Sequence, residues 1–152
     1  MEKLNLPVYS FKIKSEGERK FIFDGIRKKY VPLTPEEWVR QNFIKYLESE
    51  KNVPLSLVAV ELPLKVHNVD KRCDIVVFGR MGTPLLIVEC KAPSVNISQN
   101  VFEQIARYNI SFRVSYLVVT NGLSHYCCLI EHGRGTYRFL RQIPVYGELK
   151  EG

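Results

Sequence analysis

Along the chain, apolar and polar positions follow first the two-residue period of strands, then the helical one, then the strand period again. Tyr9, Phe11 and Ile13 alternate with polar residues in Val8-Tyr-Ser-Phe-Lys-Ile-Lys14, which predicts a half-buried strand, and Phe21-Ile-Phe23 predicts its neighbour. Thr34-Pro-Glu-Glu37 then carries the start signal of a helix, with Thr34 as N-cap, Pro35 at the first helical position and Glu37 closing a capping box. Trp38, Val39, Phe43, Ile44 and Leu47 recur at helical spacing, so this helix is expected to run to Glu48 or Glu50 before Asn52 and Pro54 stop it.

From Leu57 the pattern is again that of strands. Leu57–Leu62, Cys73–Phe78 and Leu85–Lys91 are rich in β-branched and aliphatic residues and predict a meander whose last pair is a hairpin. Asn96–Phe112 predicts a second helix, with Val101, Ile105, Tyr108 and Phe112 as its apolar stripe. Ser115–Thr120 and His125–Ile130, separated by an Asn121-Gly122 turn, complete the pattern. The order ββ–α–βββ–α–ββ predicts an α/β fold in which one mixed sheet is flanked by helices, with an N-terminal β-hairpin extension. One domain over 1–152 is expected: a β extension at 1–30, a core at 31–131 and a C-terminal extension at 132–152.

Composition changes this picture little. The 152 residues are 45% hydrophobic and 25% charged, an ordinary globular balance that excludes a disordered chain. The net charge of +6 favours a polyanionic partner, and it is split evenly, residues 1–51 and 52–152 each holding 11 basic and 8 acidic side chains. No apolar run approaches the ~18 residues that cross a bilayer, and no secretory leader is visible, so a cytoplasmic protein without membrane contact is expected. Cys73, Cys90, Cys127 and Cys128 form no C-x-x-C pair, and His67, His125 and His132 do not add zinc-ligand spacing, so the cysteines read as reduced, buried thiols.

Acidic residues inside otherwise aliphatic strands are the chemical anomaly, because a buried charge must be paired or hold a metal. Asp74 opens one predicted strand, Glu89 lies near the end of the next, and Lys91 projects to the same face as Glu89. Two carboxylates and a lysine at one strand end can bind Mg²⁺ and stabilise the charge of phosphodiester hydrolysis. A purely structural arrangement is the alternative, with Asp74 paired to Lys71 or Arg72 and Glu89 to Lys91. Glu61 is open to either role, and Arg27, Lys28, Lys29 and Arg40 are candidate phosphate contacts.

Asp74 and, after a gap of fourteen residues, Glu89-Cys-Lys91 resemble the signature of the PD-(D/E)XK nuclease superfamily. With Thr34–Gln41, Lys71–Asp74, Ile87–Pro93, Gln104–Tyr108 and Val119–Gly122, the chain is similar over roughly residues 30–130 to the N-terminal nuclease domain of the type I restriction enzyme R subunit. The resemblance implies a restriction-type endonuclease that hydrolyses DNA. It implies a Mg²⁺ or Mn²⁺ ion on Asp74, Glu89 and the Cys90 carbonyl, Lys91 supporting the reacting phosphate, and Gln104 and Tyr108 as the Q-x-x-x-Y pair. Glu36 or Glu37 would supply the first-helix glutamate, Glu37 being set down as the candidate. Cys73 stands where the superfamily's name has proline. No Gly-x-x-x-x-Gly-Lys-Ser/Thr loop is present, so translocation is expected to come from another chain. The implied partners are DNA and separate helicase, specificity or methylation subunits, with a homodimer as a further option. A silent nuclease scaffold that binds DNA or a partner, and a nuclease for branched DNA or RNA, are the competing readings.

Overall fold

The computed structural model describes residues 1–66 and 69–150; His67, one of the three histidines considered above, lies outside them. A small antiparallel sheet comes first, β1 (Ile13–Glu16), β2 (Arg19–Asp24) and β3 (Lys29–Pro32), in the order β1-β2-β3. The expected hairpin is thus a three-stranded sheet. The alternation of Tyr9 and Phe11 does not belong to a strand. Tyr9 Oη bonds Ser49 Oγ at 2.8 Å and Phe11 meets Trp38 edge-on at 5.4 Å, so this extended segment packs on the first helix instead.

That helix, α1 (Pro35–Lys51), is capped as its sequence predicts: Thr34 Oγ1 accepts from the Glu37 amide at 3.0 Å. It ends one residue beyond the expected limit, where Asn52 takes a left-handed conformation (φ 56°) and Val53 N–H closes on Leu47 O at 3.1 Å. The large sheet then runs β4 (Val58–Val66), β5 (Val69–Phe78), β6 (Pro84–Cys90), β7 (Tyr116–Thr120), β8 (His125–Glu131) and β9 (Thr136–Leu140), side by side in that order. Among the described residues only β6 and β7 are parallel, and α2 (Gln99–Ile110) makes the crossover that parallel pairing requires.

The sheet separates two cores. Val39, Phe43 and Leu47 of α1 pack against Ile75, Leu86, Val88 and Val118 on one face. Phe102 and Ala106 of α2 pack against Val76, Ile87, Leu117 and Val119 on the other. Strand alternation sends Cys127 to the first core and Cys128 to the second, so the two adjacent cysteines point apart; all four cysteines are free and buried.

Two expectations are corrected here. The buried face of α2 is Phe102–Ala106–Asn109, and Tyr108 is 43% exposed, because the crossover rotates the helix by about one residue from the stripe read at Val101, Ile105 and Tyr108. Strand β9, within the expected C-terminal extension, completes the sheet and lays Tyr137 and Phe139 at 5.8 and 4.8 Å from the Phe102 ring.

Candidate functional site

The site forms where β4 and β5 outrun β6. Ile75 pairs with Val88, and one step further Asp74 lies beside the last two residues of β6, with the Cys90 amide donating to Asp74 Oδ2 at 2.8 Å. Asp74 therefore does not begin a strand. It sits mid-way along β5, at a break in the pairing with β4: Val60–Ile75 and Leu62–Cys73 pair, while Glu61 between them has φ 54°. This irregularity lets Ile75 face the α1 core and Cys73 the α2 core, and it brings Glu61 and Asp74 together at the switch.

Arg40 of α1 and Arg27 of the β2–β3 loop supply the cations on one side. Arg40 is 5% exposed and donates from Nη2 to Asp74 Oδ1 at 2.9 Å and from Nη1 to Glu37 Oε1 at 2.8 Å. Arg27, from the loop between β2 and β3, donates to the same Glu37 oxygen at 2.9 Å and, through Nε, to Asp24 Oδ2 at 2.6 Å. Gln41 Nε2 bridges Asp24 and Glu37 at 2.9 and 3.0 Å. Glu61 completes the network near Arg27 (3.4 Å), Arg40 (3.6 Å) and Arg72 (3.7 Å). Burial alone would raise the Asp24 pKa, but bonds from Arg27, Gln41 and the Ile26 amide outweigh it and hold the carboxyl below its ordinary value. Desolvation disfavours the Arg40 cation, yet the charges of Glu37 and Asp74 prevail and raise its pKa.

On the other side, Glu89 pairs with Lys71 of β5, and the Lys71 ammonium lies 4.8 Å from the centre of the Tyr108 ring on α2. Gln104 is exposed one turn before Tyr108 and makes no hydrogen bond to either carboxylate among the described residues. Lys91 is half-buried, and its backbone is anchored through its amide to Thr120 O at 2.8 Å.

The ion pairs differ from the alternatives read in the sequence. Asp74 is held by Arg40 rather than Lys71 or Arg72, and Glu89 by Lys71 rather than Lys91. Arg27 and Arg40 are turned into the carboxylate network, leaving Lys28 and Lys29 exposed. Glu37 does not close the expected capping box, since the Thr34 amide donates to Pro32 O at 3.2 Å; its carboxylate is committed instead to Arg27, Arg40 and Gln41. Its neighbour Glu36 is 49% exposed, and its pKa is raised by partial burial first and then by the negative charge of Asp74, with Arg40 and Lys91 opposing. Glu36 Oε1 lies 3.8 Å from Arg40 Nη2. Together with Glu37, Arg40, Glu61 and Ala92 it borders a cleft of about 680 Å³.

Asp24, Arg40 as a partner of Asp74, and Lys71 as the partner of Glu89 were not legible as a set. The one available signal was the spacing of Glu36 and Glu37 to Arg40, which places all three on one helical surface. The described histidines have satisfied polar roles. His125 lies between Thr120 Oγ1 (2.6 Å) and Asn5 O (2.9 Å), burial lowering its pKa, and His132 meets Val114 O at 3.1 Å.

The mixed sheet between two helices, with paired carboxylates where a strand pair leaves it, is the restriction-endonuclease-like class of α/β fold. A solved structure described as a fragment of an HsdR subunit of a type I restriction enzyme from Vibrio vulnificus YJ016 shares the fold, with a TM-score of 0.52 and 21% identity over 77% of this chain. The match spans 24% of that chain. The family described as type I restriction enzyme R protein N terminus (HSDR_N) matches residues 35–144, and the chain belongs to it. No curated protein sequence matches significantly. No helix among the described residues is long and apolar enough to cross a membrane.

Proposed function

We propose that the chain is a restriction-type, metal-dependent endonuclease domain acting on DNA. The observation that carries this reading is the meeting of Asp74 with the Glu89-Cys90 end of β6, fixed by the 2.8 Å bond from the Cys90 amide. The donor set fits Mg²⁺ or Mn²⁺, since two carboxylates and the Cys90 carbonyl are hard oxygen donors. Such an ion would supply electrostatic stabilisation and an acidified water.

The chain's own residues do the rest. Lys91 offers a positive charge to the phosphate, and Arg40 holds Asp74 in place from α1. Glu36, at the cleft, replaces Glu37 as the helix carboxylate that positions the site. Tyr108, reached through Lys71, orders the Glu89 side, and Gln104 faces solvent where substrate can meet it. DNA and separate helicase, specificity or methylation subunits are the proposed partners, in the cytoplasm.

Cleavage of supercoiled and linear duplex DNA with Mg²⁺, Mn²⁺ or EDTA tests this. Metal-dependent cleavage by the wild type and its loss in Asp74→Ala and Lys91→Ala are expected; equal activity in all three sinks the assignment. The cations on both carboxylates favour one second reading, a silent nuclease scaffold that binds DNA or a partner. Metal-independent DNA binding without cleavage of duplex, branched or RNA substrates would establish it.

A further inference from the structure

The N-terminal sheet has a second face that the carboxylate site does not use. Its inner face buries Ile22, Asp24 and Val31 against the body. Its outer face carries Phe21, Phe23 and Tyr30 among cations. Phe21 pairs across the strands with Lys14, and Phe23 with Tyr30, the latter two rings meeting edge-on at 5.2 Å. Lys14 lies 4.5 Å from the Tyr30 ring centre, Arg19 lies 5.3 Å from Phe21, and Lys12 lies 5.7 Å from Phe23.

Charge is concentrated here too. Residues 11–32 hold seven basic and three acidic side chains, which is +4 of the chain's +6. Asp24 is fully buried and paired with Arg27, so those two charges cancel and the remaining groups still sum to +4, with Lys14 Nζ also 3.2 Å from Glu16 Oε1. The face continues into a groove of about 490 Å³ lined by Phe11, Phe23, Ile44, Lys45 and Leu55.

We propose that this face docks an unpaired DNA strand, with bases on Phe21, Phe23 and Tyr30 and phosphates on Lys12, Lys14 and Arg19. Partly exposed rings interleaved with cations suit a single strand, because its bases offer free π-faces while its backbone offers negative charge. A duplex keeps its bases stacked inside, so it would use the cations and leave the rings idle. In the free protein the ammonium groups shelter the rings; their long exposed stems let them turn to phosphates when bases take their place. The choice of DNA over RNA rests on the reading of the carboxylate site as a DNA nuclease. The docking face itself lies outside the family match at 35–144.

Fluorescence anisotropy with labelled oligo-dT in EDTA isolates this face from catalysis, so its outcome is independent of whether the chain cleaves DNA. Salt-sensitive binding by the wild type is expected, weakened roughly tenfold or more by Phe21→Ala with Tyr30→Ala and preserved by Tyr30→Phe. Lys12→Gln with Lys14→Gln should flatten the dependence of binding on salt. Unchanged binding by the folded Phe21→Ala, Tyr30→Ala variant, or a preference for duplex, overturns the proposal, and tighter binding of oligo-rU overturns the choice of DNA.

Discussion

Asp74 and Glu89 are neighbours at one sheet end, yet they are held from opposite sides by different means. Asp74 belongs to a buried network that runs through Arg40, Glu37, Arg27 and Gln41 to Asp24, tying β5 to α1 and to the small sheet. Among the described residues Glu89 pairs with one cation, Lys71, which rests on the exposed ring of Tyr108. The difference teaches where rigidity and adjustability lie. A charge compensated by several fixed donors cannot move without unpairing others, whereas Lys71 on its flexible stem leaves only Glu89 unpaired when it moves, a cost that an arriving cation offsets. On the proposed function, the Glu89 side is the one that yields to an incoming ion.

Variants can break this contrast in order of size. Arg40→Ala leaves Glu37 and Asp74 short of a buried cation and is expected to cost about 3–5 kcal/mol in urea unfolding. The same network sets an acid limit. Asp24 has a folded pKa below its unfolded one, so its stabilisation is present above about pH 4 and is lost as the pH falls through the depressed folded value. Asp24→Asn should remove that acid-sensitive component, seen as a flatter unfolding midpoint between pH 5 and acid; an unchanged pH profile would contradict the network. Lys71→Ala, on the looser side, should cost only about 1–3 kcal/mol, and a loss equal to that of Arg40→Ala would abolish the contrast. Thr34→Ala, removing the cap that sets the start of α1, is expected to cost about 1 kcal/mol in thermal unfolding. Smallest is Tyr108→Ala, about 0.5–1 kcal/mol, because a half-exposed cation–π contact is weak; a double-mutant cycle with Lys71→Ala reads it directly.

Much of this architecture was legible one element at a time. The capping signal at Thr34-Pro-Glu-Glu37 located α1, and the aliphatic runs located the central strands, because burial on both faces leaves little room for polar residues. The edges were less legible. Strand β3 and strand β9 carry mixed, partly exposed residues whose pairing depends on a neighbour distant in space, and the Tyr9–Phe11 alternation was satisfied by a helix instead of a strand. On α2 the apolar stripe was displaced because two adjacent residues, Ile105 and Ala106, both suit an interior, and only packing against β7 chose Phe102–Ala106–Asn109.

The sequence by itself determined the α/β class, the two helices and the central strands, the unpaired cysteines and the presence of Asp74, Glu89 and Lys91 at the spacing that resembles a nuclease signature. It did so because period, cap and turn chemistry are local. Only the tertiary structure decided which cation holds which carboxylate, that Glu36 rather than Glu37 stays half-exposed at the cleft, and that the positive charge gathers on the small sheet. Those outcomes depend on side chains tens of residues apart, such as Asp24, Arg40 and Asp74, sharing one desolvated region. Each buried charge there must find its partner, and geometry rather than sequence distance makes the choice.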